Sequence, residues 1–265
     1  MKIVAVVPGI LLALLVVPVS SQAQLTKDEL KCQVLGAATL GQYVGVVQSC
    51  VIKCAVGARK GKNPASDCLP PYAGSTARCI DQPGVGAEDR AIAKFARGCV
   101  KGCPPCYQGG QCNAVAVARV LDASVQIDSV IPVIFCDDGG SPDGLSKLEA
   151  KCQDNALKQV AKFGSKKLKC FSKCENDEFR GSLPPGSCLP PAPADPRTAT
   201  CIASAEGRAT AVINRACTPP KGDAPECWGS SVDGAFLVAG FEAWVDDLVP
   251  HQFCGGASPS GAFLD

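Results

Sequence analysis

The chain has 265 residues, including 18 Cys, 27 Gly and 21 Pro, and only 5% are aromatic. Its 26 Lys and Arg against 25 Asp and Glu give a formal charge of +1, which excludes a nucleic-acid binder that works by global positive charge. So many cysteines behind an apolar leader exclude a reducing compartment and predict as many as nine disulfides, offsetting a core poor in large rings.

The chain opens "MKIVAVVPGILLALLVVPVSSQAQ", with one Lys, an apolar run from Ile3 to Val19, and small residues at Ser21 and Ala23. This pattern reads as a secretory signal peptide over 1–23, cleaved after Ala23, and predicts a product that is extracellular or periplasmic. Its removal takes Lys2 and no acid, leaving 25 basic and 25 acidic residues and a charge of zero. No Cys follows the run to carry a bacterial lipid anchor.

Beyond the leader the cysteines repeat. Cys32, Cys50, Cys54 and Cys68 precede Cys152, Cys170, Cys174 and Cys188 by 120 residues each. Cys79, Cys99, Cys112 and Cys136 precede Cys201, Cys217, Cys227 and Cys254 by 122, 118, 115 and 118. The intervening sequence agrees: "DCLPP" at Asp67 matches "SCLPP" at Ser187, and both halves close on Pro-x-x-Phe-Cys. The chain therefore reads as a tandem duplication, with repeat 1 over 24–138, a linker over 139–145 and repeat 2 over 146–265. Asp138 and Glu149, on either side of the linker, have the outer spacing of a calcium loop. Gly140 and Pro142 at ligand positions, and Asp143 where Gly is required, rule that reading out.

Each repeat begins with a capping box, Thr26 with Glu29 and Ser146 with Glu149, and predicts a helix reaching about Cys54 or Cys174. Cys32 and Cys50, like Cys152 and Cys170, stand eighteen residues apart, a whole number of helical turns, so one face carries three sulfurs inward. Pro-rich loops, "CLPPYAGSTARC" and "CLPPAPADPRTATC", lead to second helices ending near Cys99 and Cys217. Third helices follow and end at Pro132 and Pro250. The fold class is all-α, with about three helices in each disulfide-stapled repeat.

The first helix of repeat 2 carries Lys147, Lys151, Lys158, Lys162, Lys166, Lys169 and Lys173 within an arc of about 100°. Apolar residues, Leu157, Val160, Phe163 and Phe171 among them, fill the other side. The five lysines from Lys158 to Lys173 are the candidate binding residues, docking an anionic surface such as an acidic polysaccharide or lipid headgroups. Stacking aromatics are missing from the stripe, so no nucleic acid is expected. Repeat 1 has Ala38, Gln42, Val46 and Ser49 in its place, beside Val34, Leu35 and Ile52. That apolar face is expected to pack against repeat 2 or to mediate self-association.

Cys103 and Cys106 in "KGCPPCYQGGQC" have no counterparts in the second half. With the shared cysteines pairing within each repeat, these two pair with each other as a structural clasp. A thiol–disulfide oxidoreductase using that Cys-Pro-Pro-Cys is the alternative, and an apolar-ligand carrier or inhibitor is another. His251 is the only His, reads as a surface residue at a helix end, and has no G-x-S-x-G elbow with it. The adjacent Asp246 and Asp247 read as a solvated helix end. Neither a cofactor nor a metal is implied, and the reading is of a non-enzymatic binding or structural protein. The "KCQ" at Lys151 and Lys31, followed by a helix and Cys-x-x-x-Cys, resembles repeats in uncharacterised secreted bacterial cysteine-rich proteins, a resemblance that implies no activity.

Overall fold

The computed structural model describes residues 25–107, 111–136, 145–230 and 232–254. The expected signal peptide and nearly all of the expected linker lie outside them. Among the described residues there are seven α-helices and no strands, so the fold is all-α. The helices are α1 (Lys27–Ala58), α2 (Gly74–Ile80), α3 (Ala87–Gly98), α4 (Cys112–Phe135), α5 (Lys147–Phe179), α6 (Pro196–Ala216) and α7 (Gly234–Gln252).

Both capping boxes form. The Thr26 hydroxyl accepts from the Glu29 amide at 3.3 Å, and the Glu29 carboxylate accepts from the Thr26 amide at 2.6 Å. Ser146 and Glu149 repeat this at 3.1 and 2.7 Å. Each cap is worth about 1 kcal/mol. α1 and α5 run one turn beyond Cys54 and Cys174, to Ala58 and Phe179, before Gly61 and Gly181 take φ of +66° and +70°. Those left-handed positions end both helices.

Three helical expectations need correction. In the first half the second helical region is split into α2 and α3 by Pro83 and by Gly84 at φ +76°. In the second half α6 starts inside the expected loop, because Pro196 occupies its first turn and Asp195 caps the Thr198 amide at 3.0 Å. α4 and α7 continue past Pro132 and Pro250 to Phe135 and Gln252. A proline in the last turn removes only one amide donor, and its own carbonyl or the one before it still accepts: Cys136 N–H bonds Pro132, and Phe253 N–H bonds Val249.

α1 and α5 form the centre. Arg59 at the end of α1 pairs with Asp154 near the start of α5 at 2.5 Å, while Gly41 lies against Ser165, so the two helices run antiparallel. Their apolar sides join one cluster that holds Leu40, Val47, Leu157 and Phe171 from these helices and Ile127 and Phe241 from α4 and α7. α1 is apolar and long enough to cross a membrane, but here it is a core helix, with Cys32, Leu40 and Val51 wholly buried.

All eighteen cysteines are paired, and no cysteine is free. Three bonds recur in both halves: Cys32–Cys99 with Cys152–Cys217, Cys50–Cys79 with Cys170–Cys201, and Cys54–Cys68 with Cys174–Cys188. The other three are Cys103–Cys112, Cys106–Cys254 and Cys136–Cys227. They correct two expectations. Cys103 and Cys106 do not bond each other, and pairing is not confined to each half. Tyr107 supplies the reason for the first crossing, because its hydroxyl donates to the Gln252 carbonyl at 2.7 Å and holds Cys106 beside the end of α7. Trp228 supplies the second: its indole N–H donates to the Ile134 carbonyl at 3.2 Å and brings Cys227 to the end of α4.

Candidate functional site

Helix α5 carries its lysines along one edge. Lys158, Lys162, Lys166, Lys169 and Lys173 are all exposed, as are Lys147 and Lys151. At 1.5 Å per residue the five span about 22 Å along one edge of the helix. No carboxylate of the described residues forms an ion pair with any of the five. The row is therefore an uncompensated positive edge on a chain of nearly neutral charge.

A cleft of about 270 Å³ runs beside this edge, between α5 and α1. Lys162, Ser165, Lys166 and Lys169 form one wall, and Gly41, Gly45 and Gln48 belong to the other. Glycine matters here for close approach. A Cβ on Gly41 would lie 2.8 Å from Ser165 Oγ, whereas one on Gly45 would meet nothing within 4 Å. The first glycine brings the helices together, and the second leaves the cleft open under the lysine side chains.

Lys167, which the periodicity leaves off the stripe, has the opposite fate. It is wholly buried, and its ammonium donates to Glu242 at 2.7 Å and forms an ion pair with Asp246 at 2.6 Å. Asp246 is thus no solvated helix end. Burial raises its carboxyl above the usual carboxylate range, and the bond from Lys167 draws it back. The expected pair is divided: Asp247 is exposed while Asp246 faces inward.

In the first half, Asp128 accepts hydrogen bonds from the Tyr72 hydroxyl and from Ser124 at 3.5 Å. Burial raises Asp128, and raises Asp81 and Glu88 nearby. Tyr43 is also buried in this group, and desolvation holds its phenol neutral far above neutral pH. Sequence spacing gave no sign of this cluster, since its members come from α1, α3, α4 and two connections.

The apolar outer face expected on α1 is mostly used within the chain. Val34 and Ile52 are half-buried against the core cluster, which contains residues of both halves. Leu35 packs on α3, so close to Gly98 that a Cβ there would sit 2.0 Å from its Cδ2. Val46 stays 38% exposed. His251 is half-buried in the last turn of α7, and every cysteine near it is in a disulfide. In comparisons with protein-family models, curated proteins and solved structures, nothing matched the chain, so its own geometry carries the functional argument.

Proposed function

We propose that this is a secreted, disulfide-rich binding protein whose α5 edge docks a linear anionic polysaccharide. The observation that carries the reading is the row of five exposed lysines, with no ion pair to a described carboxylate, along a cleft between two cross-braced helices. A rigid helix presents its charges at fixed spacing and loses little freedom on binding, so each contact with a polyanion is retained as affinity. Such dense cross-linking also suits an oxidising compartment.

A lipid surface is the less favoured occupant. Along α5 the exposed large apolar side chain is Leu148, in the first turn and remote from the five lysines. A helix that settles into a bilayer interface needs apolar groups beside its cations.

The test is binding to immobilised heparin, as a model sulfated polysaccharide, with vesicles containing phosphatidylserine in parallel. Heparin binding should weaken with salt, and the triple variant Lys162→Glu/Lys166→Glu/Lys169→Glu should lose about 100-fold or more, at about 1 kcal/mol per lysine near an anionic surface. Binding to vesicles alone would replace the polysaccharide with a membrane, and equal heparin retention by the triple variant would overturn the site.

A further inference from the structure

The segment after α3 brings two disulfides together. Cys32–Cys99 ties α1 to the end of α3, and Cys103–Cys112 ties the next turn to the first residue of α4. The sulfurs of Cys32 and Cys112, which are not bonded to each other, lie 3.9 Å apart. Sγ of Cys32, Cys99 and Cys112 all fall within 4.8 Å of one another. An open cavity of about 630 Å³ leads to them, lined by Lys101, Gly102 and by Cys99, Cys103 and Cys112. Cys32 is wholly buried behind, and Cys103 is half-exposed at the mouth.

The surroundings favour a thiolate at the inner sulfur. Cys112 is the first residue of α4, where unpaired amides and the helix dipole stabilise negative charge. Gly102 lies against the start of α1, since a Cβ there would be 2.7 Å from the Glu29 nitrogen. Lys101 adds a cation at the mouth.

We propose that this is a thiol-exchange site at which two disulfides act as a relay. An external small-molecule thiolate attacks Sγ of Cys103, forming a mixed disulfide there and expelling Cys112 as thiolate. Cys112 attacks Sγ of Cys32, forming Cys32–Cys112 and breaking Cys32–Cys99, and the electron pair leaves on Cys99. One thiolate enters and one emerges on Cys99, the two disulfides at the start, Cys103–Cys112 and Cys32–Cys99, become two at the end, the mixed disulfide and Cys32–Cys112, and no oxidant or reductant is consumed. The emerging Cys99 thiolate lines the cavity. The second half holds an internal control, because among the described residues no third cysteine sulfur lies within 4.8 Å of both Cys152 and Cys217, as Cys112 does for Cys32 and Cys99. This inference does not depend on the lysine edge.

The experiment uses the folded full chain with reduced glutathione, followed by rapid alkylation and non-reducing peptide mapping. The expected products are glutathione on Cys103, a Cys32–Cys112 cross-link and alkylated Cys99, formed about tenfold or more faster than any change at Cys152–Cys217. Glutathione on Cys103 with alkylated Cys112 and an intact Cys32–Cys99 would overturn the relay, and so would reaction no faster than at Cys152–Cys217. A second arm uses Cys103→Ser, which leaves one thiol. Alkylation of the native variant should divide between Cys112 and Cys99, and label confined to Cys112 would overturn the transfer.

Discussion

Asp128 in the first half and Asp246 in the second stand 118 residues apart, each four places before a matched proline, and the chain buries them differently. Asp246 is held by a buried ammonium, Lys167, shared with Glu242. Asp128 has no cation and instead accepts from the hydroxyls of Tyr72 and Ser124. At the positions 120 residues earlier, Lys167 has Val47 as its counterpart and Phe163 has Tyr43. Burial raises both carboxyls, and one half offsets it with a buried cation while the other uses hydroxyl donors. Loss of the cation would strand two acids in the second half, whereas Asp128 has no charged partner to lose.

The comparison breaks most sharply at Lys167. Lys167→Met removes the cation and strands Glu242 and Asp246, and should cost about 3–5 kcal/mol in guanidinium unfolding with the disulfides intact. A loss under about 1 kcal/mol would show that the acids find water instead.

Gly36 sharpens it next, because Ala156 stands at the matched position. A Cβ on Gly36 would lie 2.4 Å from Phe95 Cζ and 2.5 Å from Gln252 Nε2. That amide donates to the Gln33 carbonyl at 2.8 Å and to Tyr107 at 2.9 Å, so Gly36→Ala should cost about 1–3 kcal/mol. The reverse change, Ala156→Gly, should cost less, about 1 kcal/mol, as a loss of helix propensity.

The smallest effect is at Asp128. Its carboxyl is raised by burial, so folding favours the protonated form. The contribution is full below the unfolded value of about 3.9 and is lost as pH rises through the higher folded value. Asp128→Asn should flatten the dependence of Tm on pH above 4. At pH 7 the variant should match or exceed the parent by less than about 1 kcal/mol, and the two should converge in acid. A steep loss at every pH would mean that the ionised carboxylate is needed.

Local signals were legible in the sequence. The capping boxes, the inward row of sulfurs on α1 and α5, and the exposed lysine edge follow from the spacing of a few residues on one helix. What escaped depends on residues far apart in the chain. Lys167 is made interior by acids seventy-five and seventy-nine residues away, and no period announces that. Cys106 finds Cys254 because Tyr107 is anchored on Gln252, a contact across 145 residues. The expectation of a repeat misled here: cysteines in equal register suggested matched bonds, but Cys136 and Cys254 are bonded across the molecule, to Cys227 and Cys106.

Those redirected bonds bear on how the protein meets a protease. Cys106–Cys254 and Cys136–Cys227 both bridge from one side of the 137–144 junction to the other. A cut anywhere in that junction leaves the fragments joined at two points, migrating together until they are reduced. A single cut between Cys112 and Cys136 still leaves one bridge across the break. The molecule can thus be nicked without being divided.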